Sequence, residues 1–157
     1  MPEPGTTRKR YTGDAVDVSF DPVRCRHAAE CLRGLPAVFD LGRRPWILPD
    51  GGAPADVVRV VARCPTGALR THPRAAAPDE QPDTPTEVTA LPGGPVLLRG
   101  DLHVTTPGGL DEHETRAALC SCGATANAPY CDGTGTCGEW PHPRGAAPRR
   151  ADARSEP

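Results

Sequence analysis

The sequence is short of the side chains that fill large cores. Of 157 residues only six are aromatic, two each of Trp, Tyr and Phe, and a single Met is present. So few bulky anchors cannot make a wide, interdigitated core. The basic cluster Arg8–Arg10 is followed by no apolar segment, so the N-terminal stretch does not read as a secretory signal. No run of about 18 apolar residues offers a membrane span. There is no Gly-rich phosphate loop, no G-x-S-x-G elbow and no paired-carboxylate signature, and the expectation is a protein that is not an enzyme. The net charge of −2 is close to neutral, and the two arginine clusters, Arg8–Arg10 and Arg149–Arg150, read as solvated ends rather than nucleic-acid grips.

What is abundant is proline (20), glycine (17) and cysteine (7). Domains of about 60 residues bury only about 60% of their unfolded surface and commonly need a disulfide or metal staple. The absent signal and membrane span predict a cytoplasmic protein, where thiols stay reduced, and an odd cysteine count suits a disulfide framework poorly. Metal ligation is the expected use of the thiols.

Residues 72–87, Pro-rich and acidic without apolar periodicity, read as a linker. They divide the chain into a domain over 11–71 with Cys25, Cys31 and Cys64, and a domain over 88–140 with Cys120, Cys122, Cys131 and Cys137. Residues 1–10 and 141–157 read as disordered ends. In the first block "AVDVSF" alternates as a strand, "AAECLRGL" suits a short helix and "RPWILP" a second strand. "ADVVRVVARC" puts Val57, Val58, Val61 and Ala62 on one helical face, started by Ala53-Pro54 and stopped by Pro65. In the second block "PVLLRG" and "LHVTT" predict two strands joined by a turn at Gly100-Asp101, with another strand through "TRAALC" and mostly loop after Cys122.

The first cysteine pattern is Cys25-x5-Cys31, a long gap, then Cys64-Pro65; bacterial ferredoxin ligand runs also finish in Cys-Pro. Zinc binding or buried structural cysteines are the plainer readings of the spacing alone. Together with "LPAVFD", "RPWI" and "CPTGAL", residues 20–70 resemble the divergent single-cluster ferredoxin-like domain of bacteria. The resemblance implies a cluster on Cys25, Cys31 and Cys64. A further ligand often stands three residues after the first Cys of such domains, and here that position is Ala28. The site is therefore expected to hold [3Fe–4S] on three thiolates, or [4Fe–4S] with His27 or an exogenous ligand on the fourth iron.

In the second block, C-x-C-x8-C alone is weakly specific and could bind zinc. With Thr125, Pro129 and Asp132-Gly133-Thr134, and the approach Arg116, Ala118, Leu119, Cys120, residues 88–135 resemble the CDGSH iron–sulfur family, that of mitoNEET. The resemblance implies a [2Fe–2S] cluster on Cys120, Cys122 and Cys131, with a fourth ligand that is His in the family. Gly135 occupies that position here. Cys137 is the nearest competent donor, His142 the second candidate, and an external ligand the third.

The other polar residues read as structural. His72 and His113 lie in polar stretches, His103 alternates in a strand, Asp132 caps the turn after Cys131, and Asp111, Glu112 and Glu114 form a solvated acidic run. The expected fold is α+β, a small ferredoxin-like N-terminal domain followed by a small β-rich CDGSH-type domain. The expected function is that of a two-cluster electron carrier working with redox partner proteins, without nucleic acid or membrane partners. Cluster transfer or redox sensing is one alternative, and a zinc-stapled structural or interaction module another.

Overall fold

The computed structural model of the protein describes residues 7–75 and 77–137. The chain is α+β, with two three-stranded antiparallel sheets and short helices. In the first sheet the order is β1 (Lys9–Tyr11), β2 (Val16–Phe20), β3 (Leu69–Pro73). Between β2 and β3 lie α1 (Glu30–Gly34) and α2 (Pro54–Val61). In the second sheet the order is β4 (Glu87–Ala90), β5 (Val96–Thr105), β6 (Asp111–Leu119).

The first core forms where the valines of β2 and α2 meet. Val16 and Val18 pack on Val57, Val58, Val60 and Val61, with Val38, Phe39, Ile47 and Leu69 closing around them. Pro54 at the first helical position starts α2, because its missing N–H would be unpaired there anyway. α1 is shorter than the expected "AAECLRGL". His27 and Ala29 adopt left-handed backbone (φ 56° and 60°), so the helix begins only at Glu30.

Several sequence expectations need correction. "RPWILP" is not a strand; it contributes one isolated bridge, Phe39 to Ile47. Gly100-Asp101 is not a turn. β5 runs unbroken from Val96 to Thr105, with a register shift against β6 between Arg99 and Leu102 that absorbs one extra residue as a bulge. The expected disordered start includes β1, and both ends of the 72–87 linker are strand, in β3 and β4. His72 lies in β3, its Nε2 2.8 Å from Ser19 Oγ. Of the acidic run, Glu114 is buried, and Arg8 of the basic cluster is buried too. The candidate ligand His142 and the expected tail at 141–157 lie outside the described residues.

Buried charge joins the two sheets. Arg24 Nη1 donates to Glu114 Oε1 at 2.6 Å and Nη2 to Thr66 O at 2.7 Å, while the guanidinium lies 3.9 Å from the centre of the Tyr130 ring. Arg70 also pairs with Glu114. From the other side, Arg116 of β6 donates to Val61 O, Cys64 O and Leu69 O and pairs with Glu80. Glu80 belongs to the expected linker, so that segment is fastened at its middle. Gly67 makes the approach possible: it has φ +70°, and a Cβ there would stand 2.5 Å from Arg116 O. Among the described residues no helix is long and apolar enough to cross a membrane.

Candidate metal centres

All seven cysteines are thiols. In the first half the loop after Cys25 carries the two left-handed residues His27 and Ala29. Such conformations cost on the order of 1–3 kcal/mol each and persist where the surroundings dictate them. The loop bends around a hollow with about 360 Å³ of open space, lined by Cys25, Cys31 and Cys64. Phe20, Trp46 and Leu69 supply apolar walls. Ala28 and Ala29 line it as well; His27 is not among the lining residues. Where a fourth thiolate would be looked for, the wall is alanine.

Burial pushes the Cys31 thiol up to about 12, and the neighbouring Cys64 and Cys25 add to the rise. For Cys64 burial also acts upward, but Arg116, the amides of Leu69 and Thr66 and the Thr66 hydroxyl outweigh it, and the thiol lies below its ordinary value. Three thiols around one hollow, of which Cys31 is kept from ionising by burial and by its two neighbours, form a donor set completed by cationic metal, which binds thiolate and offsets that repulsion. The residues fit an iron–sulfur cluster in that chemical sense.

In the second half β6 delivers the chain to Cys120. Cys120 N donates to Pro129 O and Cys131 N to Ala118 O, both at 2.8 Å, and Leu119 bridges Tyr130. This short antiparallel zip sets Cys120 and Cys131 on neighbouring segments. The other motif residues hold the loop. Thr125 Oγ1 donates to Tyr130 O at 2.7 Å and accepts from Asn127 N. Asp132 accepts from the amides of Ala126 and Thr134. The Thr134 hydroxyl, first among these contacts, and both amides hold the Asp132 carboxyl down at about 2.

A 3₁₀ turn over Gly135–Cys137 then carries Cys137 back inward, where it is buried. The ligand atoms of Cys120, Cys122 and Cys137 all lie within 4.8 Å of one another. Cys120 Sγ and Cys122 Sγ are 3.7 Å apart. That separation matches the edge of a tetrahedron with metal–sulfur bonds of about 2.3 Å. Cys131 and Cys137 share one buried cluster, against which Cys120 and Cys122 pack. Cys131 is not in the group whose ligand atoms lie within 4.8 Å of one another and joins it through the shared buried cluster. The donor chemistry of this set suits iron–sulfur ligation. Gly135 has φ +64°, and a Cβ there would stand 2.9 Å from Cys122 Sγ and 2.5 Å from Ala124 Cβ. Glycine is what the turn toward Cys137 requires.

The thiols of this set differ in reactivity. Hydrogen bonds from the Ala124 and Cys137 amides, then from the Cys137 side chain, bring half-exposed Cys122 down to about 6, while burial raises Cys131. In the metal-free protein at pH 7, alkylation followed by peptide mass spectrometry should therefore label Cys122 well before Cys131 or Cys31. Equal labelling of all three would contradict the arrangement.

Sequence reasoning placed Arg116 only in the approach to Cys120 and did not single out Arg26, so it missed that both guanidiniums reach a cysteine carbonyl of the other half. Arg26, next to Cys25, donates from Nη2 to Cys137 O at 2.6 Å, and its buried Nε has no hydrogen-bond partner. Arg116 reaches Cys64 O at 2.6 Å from the opposite half. Each half thus places a guanidinium on a cysteine carbonyl of the other. No local pattern announces such a pairing, because its partners are 111 and 52 positions apart.

Residues 11–73 match the family described as "Divergent 4Fe-4S mono-cluster", and residues 93–134 the family described as "Iron-binding zinc finger CDGSH type". Two curated relatives, both named "Uncharacterized protein YjdI" and from Escherichia coli strains K12 and O157:H7, are each 47% identical over 60 residues. The alignment covers 38% of this chain and 79% of each relative. No solved structure matches. The thiol-lined hollow of the first half and the converging thiols of the second thus lie in two recognised iron-binding units: the chain belongs to the divergent 4Fe–4S mono-cluster family through residues 11–73 and joins to it a CDGSH-type iron-binding domain over 93–134.

Proposed function

We propose that the protein is a two-cluster electron carrier. One [3Fe–4S] or [4Fe–4S] cluster sits on Cys25, Cys31 and Cys64, and one [2Fe–2S] cluster on Cys120, Cys122, Cys131 and Cys137. The observation that carries this reading is the Arg26 contact: the residue beside Cys25 donates directly to the carbonyl of Cys137. Two thiol sets in a short chain, tied through one side chain and one hydrogen bond, favour exchange of electrons between them. The clusters supply one-electron chemistry at potentials set by cluster type, charge, hydrogen bonding and exposure. The chain's own residues hold the thiolates, exclude water with Phe20, Trp46 and Leu69 at the first site, and place Arg116 beside Cys64. A ferredoxin-like fold for the first half, cytoplasmic residence and redox partner proteins belong to the same reading.

Cluster transfer is the second reading, favoured by half-exposed Cys122 with its thiol near 6, an accessible corner for a recipient's thiols. Iron, sulfide and zinc content of anaerobically purified protein, with electron paramagnetic resonance before and after reduction, separates these. Electron transfer requires about five or six irons per chain, two distinguishable signals and reversible reduction. Ready delivery of [2Fe–2S] to an apo-protein selects transfer instead. Zinc without sulfide overturns both and leaves a stapled structural module.

A further inference from the structure

Away from both thiol sets, the β5–β6 hairpin carries another group of side chains of the types that ligate metals. His103 and His113 are direct cross-strand partners in the antiparallel register. Their rings are stacked, with centroids 4.5 Å apart and planes 7° from parallel. Asp111 lies two positions before His113, hence on the same side of β6, and its Oδ1 is 2.9 Å from His103 Nε2. One ligand atom from each of the three lies within 4.8 Å of the others, and all three residues are exposed. Seven steps along β6 at about 3.4 Å each separate His113 from Cys120 by about 24 Å of chain. The group is therefore distinct from the CDGSH-type thiols.

The geometry points to a surface site for a borderline first-row divalent cation, zinc being the simplest, held by His103, His113 and Asp111. Two neutral imidazoles and one carboxylate are the donor types such cations take, at about 2.0–2.2 Å for zinc. Strand backbone fixes the three donors better than a loop would. Three protein ligands leave a fourth tetrahedral position open to water or to a donor from a partner surface. The sequence reading of His103 and His113 as structural or merely exposed side chains overlooks that cross-strand register brings them face to face.

The test is a zinc titration, by calorimetry, of the full chain with its thiol sites already occupied, visible absorbance confirming that no cluster is displaced. Wild type should show one saturable zinc site. Losing even a residue that only orients a ligand costs about 10–100-fold in metal affinity. His103→Gln and His113→Gln, which remove ligands outright, should each weaken binding by about a hundredfold or more, and Asp111→Asn by about tenfold. Circular dichroism of the variants should stay native, since the three side chains are solvent-facing. No saturable binding at millimolar zinc, or titrations of both glutamine variants that match wild type, would overturn the site. So would one whose loss tracks loss of iron rather than the histidines.

Discussion

Replacing Arg116 by Ala should destabilise the metal-free protein by about 3–5 kcal/mol, the cost of breaking a buried ion pair on one side. At this chain length that lowers the melting temperature by about 10–15 °C. The Arg116 guanidinium is almost fully buried and holds Val61 O at 2.8 Å, Cys64 O at 2.6 Å and Leu69 O at 3.1 Å. It also forms a two-point contact with Glu80, Nε to Oε1 at 2.7 Å and Nη2 to Oε2 at 2.8 Å. Truncation strands three carbonyls and a mostly buried carboxylate. Arg116→Lys should recover little, because a single ammonium cannot reproduce the planar fork. The exposed i,i+3 pair Asp56–Arg59 is the control, and Arg59→Ala should cost under about 1 kcal/mol.

The pH dependence gives Arg116 a second signature. It helps hold the Cys64 thiol below its ordinary value of 9.0. A lowered folded-state value adds stability that is complete above the unfolded value and lost as pH falls through the folded one. The gap between wild type and Arg116→Ala should therefore widen as pH rises toward 9. Denaturant melts of metal-free protein across that window measure it. A gap that is flat or narrows would place Arg116 away from Cys64.

The second cysteine motif was legible because its information is local. C-x-C-x8-C followed by Asp-Gly-Thr brings its own loop-holding side chains, and Thr125, Asp132 and Thr134 spend their polar atoms within that loop. The valine periodicity of α2 and the strand at Val16–Phe20 were legible for the same reason. What stayed hidden depends on partners far along the chain. Glu114 looks solvated in an acidic run, yet Arg24, 90 positions away, draws it inside. Asp17 and Ser19 alternate as outward positions of β2, yet both are buried. Asp17 accepts from Gly13 N, and Ser19 lies beside Arg8 and His72. Pro45 and Pro49 lack the amide hydrogens a ladder needs, which fits "RPWILP" reduced to one bridge.

Restoring the family's histidine, as Gly135→His, should damage the second site. The backbone at 135 is left-handed, φ +64°, where any L side chain costs about 1–2 kcal/mol. The new Cβ would fall 2.5 Å from Ala124 Cβ and 2.9 Å from Cys122 Sγ, closer than real side chains approach. Ala124 or Cys122 must move, and shifting Cys122 opens the 3.7 Å spacing to Cys120. Gly135→Ala imposes the same collision without adding a donor, so it separates steric damage from ligand chemistry. Both variants should lose at least about half of the second-site iron and sulfide, while the paramagnetic signal of the first site stays as in wild type. Cys137→Ser should lose a similar amount, through removal of a donor rather than collision. If the turn that brings Cys137 inward is incompatible with a side chain at 135, the double variant Gly135→His/Cys137→Ser cannot exceed Cys137→Ser alone. Full second-site iron in the double variant, with nitrogen hyperfine coupling from a ligating histidine, would show instead that the loop accepts either ligand position. The glycine is then a simple loss, and Cys137 a replacement that arose without rebuilding the turn.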